Sequence, residues 1–232
     1  VNFRYGEDLP FVLKNLSFQI PAGERWGIVG RTGSGKSSLI QALFQLYPIH
    51  SGRISIDNVS AKEMDLEKYR RSISFIAQDP TLFAGSLRDN LDINHELDDV
   101  ALFATLNKVG LGEWASADGL KKEIEEKGRN LSQGEKQLIC MARCLLQNTP
   151  IVIMDEATAS VDPQSEEILV KATEEFFHGK TQIIIAHRLS TLVHCDRILW
   201  LQNGEIIMID TPVNVLPIFQ KQSPENSLKK GL

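Results

Sequence analysis

The stretch GRTGSGKSS at residues 30–38 sets three glycines, a lysine and adjacent serines behind the apolar run WGIVG and ahead of SLIQALFQL. This is Gly-x-x-x-x-Gly-Lys-Ser between a strand and a helix, the context a phosphate-binding P-loop requires. Gly30, Gly33 and Gly35 permit positive φ and close backbone approach, so that successive N–H groups can wrap a β-phosphate. Lys36 offers a flexible cation to the β- and γ-phosphates, and the Ser37 hydroxyl is placed to ligate Mg²⁺. Arg31, Thr32, Ser34 and Ser38 complete the loop and are expected to line the nucleotide with them. A glycine-rich turn that binds nothing is the bland alternative. A chance match to the pattern in a chain this long is on the order of one per cent, so nucleotide binding is the stronger reading.

A second segment, PIVIMDEATASVD at residues 150–162, ends an apolar run on Asp155. Such a strand is buried in a parallel sheet, and ligands of open α/β sheets gather at its C-terminal edge. Asp155 is therefore expected to partner Mg²⁺, directly or through a water. Glu156, next in the chain, is expected to polarise a water for attack on a γ-phosphate. An isolated Asp-Glu pair often only caps a strand; beside a P-loop that reading loses ground. His187 ends the run TQIIIAH, and a position at the same sheet edge favours a catalytic role over a structural one.

RNLSQGEKQLICMARCLL, residues 129–146, reads as a helix with a partly apolar face made by Leu138, Ile139, Met141, Ala142, Leu145 and Leu146. Backbone N–H groups at such a helix start suit a phosphate. Glu135 puts a carboxylate in the first turn, where the macrodipole stabilises it. Gln133 adds a Cβ where a bare backbone would approach most closely. From the residues alone three readings stay open: a phosphate site, a damaged one, or a capped helix.

These groups need a scaffold. WGIVG, IVIMD and TQIIIAH are continuous apolar runs, as expected of parallel strands buried on both faces. LSFQI, GRISID, RILWLQ and EIIMID read as further strands. The last two flank Asn203 and Gly204, a type I′ hairpin signal. From about residue 85 to 147 the pattern is mostly helical, which predicts a helical insertion between core strands. The fold class is α/β, a parallel core accompanied by an antiparallel portion.

Composition narrows the setting. The 232 residues are 42% hydrophobic and 24% charged, an ordinary globular make-up, and the net charge of −5 disfavours nonspecific attraction to nucleic acid or to an anionic membrane. Cys140, Cys144 and Cys195 cannot all pair within one chain and have no zinc spacing, which points to a reducing compartment and to core packing. No apolar run reaches the roughly 18 residues of a spanning helix. The start at VNFRY, without Met, reads as mid-strand and suggests a domain cut from a longer chain. The tail from about residue 220 reads as a polar linker. Trp26, Trp114 and Trp200 are expected in the core, and His50, His95, His178 and His194 carry no chemical signal.

Together, Walker A at residues 30–37, Walker B at 151–155 with Glu156, ASVD at 159–162, His187 and LSQGE at 131–135 resemble the nucleotide-binding domain of an ABC transporter. The resemblance runs from Phe3 to about Pro212. It implies a RecA-like P-loop NTPase core with an antiparallel β subdomain and the helical insertion, within one domain at 1–219. It also implies ATP and Mg²⁺ sandwiched between two such domains set head to tail. On that basis Tyr5 takes the place of the aromatic that stacks on adenine. Gln78 resembles the glutamine that senses Mg²⁺ and the transmembrane partner, Asp162 the aspartate that meets the opposing subunit, and His187 the histidine that contacts the γ-phosphate. Ser132, Gln133 and Gly134 stand where the family presents a serine and glycine N–H groups to the nucleotide of the opposing domain.

GRTGSGKSSL, QDPTLFAGSLRDNLD, DEATASVD and AHRLSTLVHCDRIL closely resemble the second nucleotide-binding domain of subfamily C exporters, the multidrug-resistance-protein type. That similarity implies an ATPase on the cytoplasmic face of a membrane, with transmembrane domains and a second nucleotide-binding domain as partners and no nucleic acid. Its own Walker residues would hydrolyse ATP, and its altered LSQGE would complete a weak site on the partner. Three alternatives remain at this level: a homodimeric transporter with two weakened signatures, an ATP-binding regulatory module with poor turnover, and a soluble ABC ATPase.

Overall fold

The computed structural model describes residues 1–155, 173, 175–186 and 189–222. In chain order its strands are β1 (Arg25–Val29), β2 (Ser55–Ile56), β3 (Val59–Ser60), β4 (Ile73–Ile76), β5 (Gly85–Ser86), β6 (Glu123–Ile124), β7 (Ile151–Asp155), β8 (Thr181–Ile185), β9 (Arg197–Gln202) and β10 (Glu205–Asp210). The helices are α1 (Lys36–Leu43), α2 (Leu66–Arg70), α3 (Leu87–Leu91), α4 (Asp99–Lys108), α5 (Ala117–Leu120), α6 (Gln133–Gln147) and α7 (Pro212–Gln222). The chain divides into two compact units: Val1–Arg70 with the chain from Ile183 onward, and Arg71–Gln182.

In the first unit β1 runs parallel to β9, with Trp26 opposite Arg197 and Val29 opposite Trp200. Ile28, Val29, Ile198, Leu199 and Leu201 are buried, which accounts for the unbroken apolar runs. β9 returns as antiparallel β10 through Asn203 and Gly204, whose φ angles are 51° and 78°. Both are positive, as a type I′ turn demands. The turn also ties two distant segments together. The Gly204 N–H donates to the Ser34 carbonyl (2.9 Å), and the Gly204 carbonyl accepts from the Lys14 N–H (2.8 Å).

Two expected strands differ. LSFQI forms no ladder among the described residues; the Leu16 N–H instead donates to the Val1 carbonyl (2.9 Å). Alternating burial marks which face is covered, and a ladder further needs a neighbour with free N–H and C=O groups. GRISID shrinks to β2, which pairs with β3 across Asp57 and Asn58, both at positive φ. The rest of the N-terminal antiparallel portion is two isolated bridges, Asn2 to Ser51 and Phe3 to Leu13.

The second unit pairs β4 with β7 in parallel, Ile73 opposite Ile151. It holds the expected helical stretch, which also contains the short β5–β6 ladder that helical periodicity does not predict. α6 buries Leu138, Ile139, Cys140, Met141, Ala142 and Cys144. Further along the same helix, Arg143 donates to the Thr81 carbonyl (2.7 Å) and to Asn90 Oδ1 (2.7 Å). Asn90, 1% exposed, donates to the carbonyls of Phe83 (2.9 Å) and Ser86 (3.1 Å), so one buried amide stitches the chain between β4 and α3.

α7 continues to Gln222, past residue 219 where a linker is expected, and Phe219 packs edge-on against Trp200 at 5.5 Å. No helix among the described residues is long and apolar enough to cross a membrane. All three tryptophans are buried, as are the three free thiols.

Two measurements follow. A Cβ on Gly204 would stand 1.9 Å from the Val12 carbonyl, at positive φ. Gly204→Ala is expected to cost about 2–4 kcal/mol, read as a lowered Tm in thermal unfolding. Burial pushes the Cys144 and Cys195 thiols up to about 12 and raises Cys140 as well. Neutral at pH 8, all three are expected to resist iodoacetamide in the native chain and to react on denaturation, as mass spectrometry would show.

Candidate functional site

β1 delivers the chain into Gly30, and α1 begins at Lys36. The turn between them is built around glycine. Gly35 sits at φ 109° as the N-cap of α1, so no side chain caps the helix, and the first turn holds no acidic residue. Gly33 has φ 79° with open space around it. At Gly30 an added Cβ would meet Ser34 Oγ at 2.3 Å and the Leu201 carbonyl at 2.5 Å.

The polar groups of the loop follow from that path. Lys36 Nζ donates to the carbonyls of Gly30 (2.7 Å) and Arg31 (3.2 Å), folding across the loop. The Ser34 hydroxyl is buried without a partner among the described residues. Thr32 and Ser37 are exposed. Ser38 is buried and shares a 2.8 Å hydrogen bond with the Tyr5 hydroxyl. Tyr5 is 37% exposed, and its ring meets Phe3 (5.0 Å) and Tyr47 (5.2 Å) edge to face. Arg31 differs from the other loop residues, because its guanidinium donates to the Gln222 carbonyl at the end of α7.

An acid-free, uncapped helix start, a buried hydroxyl without a partner and an ammonium resting on loop carbonyls suit a polyphosphate. The exposed Ser37 hydroxyl and the Asp155 carboxylate are oxygen donors of the kind Mg²⁺ prefers.

Asp155 ends β7, half-buried, in the second unit. Gln78 follows β4 and is exposed. Its carbonyl accepts from Gln137 Nε2 (2.9 Å), a bond the motif pattern did not point to. The only sequence signal for Gln137 is a polar residue inside the apolar face of α6, four residues after Gln133.

LSQGE opens α6 with a cap. The Ser132 N–H donates to Glu135 Oε2 (2.6 Å), and the Glu135 N–H donates to Ser132 Oγ (3.2 Å), a reciprocal capping box at the start of α6. The Ser132 and Glu135 N–H groups are thereby taken, the first by a carboxylate. Gln133 is half-buried and Gly134 buried. Glu156, the segment 159–162 and His187 lie outside the described residues.

The ABC transporter family profile matches residues 13–159, more than half of the chain. The chain belongs to the ABC transporter family. Its relatives include ATP-binding cassette sub-family C member 10 of Mus musculus, 44% identical over 90% of this chain and 14% of that protein. The ATP-dependent bile acid permease of Saccharomyces cerevisiae is 40% identical over 96% of this chain and 15% of its own length. This member of the family therefore spans about one seventh of such relatives. A solved bacterial Atm1-family ABC exporter with ATP bound superposes with a TM-score of 0.85 at 30% identity, covering 100% of this chain and 41% of that one. The fold is the ABC ATPase fold, and the domain is one that binds ATP.

Gly30→Ala is expected to displace Ser34 or the Leu201 strand end and to weaken ATP binding by at least about tenfold. Isothermal titration calorimetry with ATP would read the loss, with Thr32→Ala, exposed on the same loop, as the mild comparison.

Proposed function

We propose that this chain is the ATP-hydrolysing domain of an exporter, residues 1–219 acting as one nucleotide-binding domain on the cytoplasmic face of a membrane. ATP binding closes it head to tail on a second such domain, and hydrolysis reopens the pair, driving transmembrane domains. The observation that supports this reading most is the P-loop: an uncapped helix start without acid, overlain by Lys36 and floored by the buried Ser34 hydroxyl.

In this mechanism the N–H groups from Gly30 to Ser38 hold the phosphates, and Tyr5 stacks on the adenine. Lys36 leaves its loop carbonyls for the β- and γ-phosphates. Ser37, Gln78 and Asp155 are the residues that would hold Mg²⁺. When bound, the metal would supply positive charge that offsets the negative charge developing on the phosphoryl group. Glu156 takes a proton from the attacking water, which enters in line with the bond to the leaving ADP oxygen. His187 steadies the γ-phosphoryl group, and Ser132, Gln133 and Gly134 face the nucleotide of the opposing domain.

The capping box favours an asymmetric pair. Glu135 occupies the Ser132 N–H, and a carboxylate in the first turn of α6 would repel a γ-phosphate brought there, which supports a signature that completes a weak site on its partner. The working site joins this chain's Walker residues to a consensus signature from elsewhere.

The test is ATPase activity against concentration of this domain. Negligible turnover with retained ATP binding is expected for the wild type. Gln133→Gly with Glu135→Gln should raise activity about tenfold or more, the size of one recovered oxyanion donor, and Glu156→Gln should abolish the gain. Wild-type activity that climbs with concentration and vanishes in Glu156→Gln would instead establish a homodimer with two working signatures. Lys36→Ala is expected to abolish tight ATP binding; unchanged affinity would remove Lys36 from the site.

A further inference from the structure

Gln137 belongs to no motif of the proposed site, yet it joins two of them. Its side chain is 1% exposed on α6, and Nε2 donates to the Gln78 carbonyl at 2.9 Å and approaches the Ala77 carbonyl at 3.4 Å. Two carbonyls on one side fix which end of the amide faces the loop. The Oε1 end is buried with no partner among the described residues. A buried amide left half-satisfied is costly in a core, and an apolar residue of the same volume would avoid that cost. Its N–H bonds to the loop before Gln78 are the feature an apolar residue could not supply.

The position on the helix gives that bond a direction. Ser132 caps α6 and Gln137 lies five residues further on, about 7–8 Å along the axis at the helical rise. Between them the backbone is continuous α-helix, and Leu138, Ile139 and Met141 anchor it in the core. A shift of the helix start is therefore carried to the amide as a rigid displacement, and the 2.9 Å bond passes it to the backbone of Gln78. No other side-chain hydrogen bond from α6 to residues 77–78 is present among the described residues.

We propose that Gln137 is the positioning residue that couples the two nucleotide sites of the dimer through this chain. Contact of Ser132 and Gly134 with the opposing domain's nucleotide is transmitted along α6 and through Gln137 to Gln78, the residue assigned above to this chain's own Mg²⁺. The inference rests on the trans role given to the signature and goes beyond it by naming the element that reports trans contact to the cis site.

Hydrogen–deuterium exchange on the full transporter carrying Glu156→Gln tests it, with and without Mg·ATP, in peptides covering residues 73–82 and 129–138. With Gln137 intact, ATP is expected to slow exchange in both peptides, by at least about tenfold at the protected amides. In Gln137→Met, which fills the same volume without donors, slowing at 129–138 persists and slowing at 73–82 is lost. Gln137→Glu, of nearly identical shape, is expected to behave in the same way. Retention of both responses in either variant overturns the proposal, as does loss of both together with a lowered Tm, which would make Gln137 a strut of the fold. Absence of slowing at 129–138 with Gln137 intact would instead sink the trans reading of the signature, and the coupling with it. Slowing there but not at 73–82 would sink the coupling alone.

Discussion

A helix begins with N–H groups that nothing inside the helix can satisfy, and this chain disposes of them in two opposite ways. At α1 the N-cap is a left-handed glycine, no side chain caps the turn and the first turn holds no acidic residue. At α6 a serine and a glutamate answer one another in a capping box. The first arrangement leaves a positive, donor-rich rim that wants an anion. The second is a capped start. In the first unit the β1–β9 pairing, the Gly30 approach to the Leu201 carbonyl and the Gly204 bond to Ser34 all shape the loop that keeps the first rim open.

Leaving a helix end unsatisfied carries a cost to stability, and the surroundings limit it. Lys36 donates to the carbonyls of Gly30 and Arg31, so the loop it serves helps to solvate its charge. Tyr5 is likewise held, by Ser38 at its hydroxyl and by Phe3 and Tyr47 at its ring. These contacts partly order both side chains, which lessens the entropy lost when a ligand binds. Arg31 is the exception among the loop residues, drawn away by α7.

Much of this was legible in the sequence because its signals are local. The P-loop spacing, the Asn203–Gly204 turn and the apolar runs of β1, β7 and β8 each follow from short-range rules of φ, reach and burial. The helix of LSQGE was legible too, with Glu135 in its first turn. That Ser132 and Glu135 cap it reciprocally needed the observed bonds. What escaped were relations between distant residues. LSFQI has the right alternation but no pairing neighbour, and the β5–β6 ladder is too short to show a period. Gln137 looked like an ordinary polar interruption of an apolar stripe, since its meaning lies in a carbonyl 59 positions away.

The bond from Gly204 to Ser34 has a temporal side. It closes a loop of roughly 170 residues, and long closures are slow to form relative to local structure. On a ribosome the turn that backs the P-loop is made roughly 170 residues after the loop itself. The nascent polypeptide therefore carries its phosphate-binding sequence without the support that shapes it until that turn has been made, and acquires a competent loop only then.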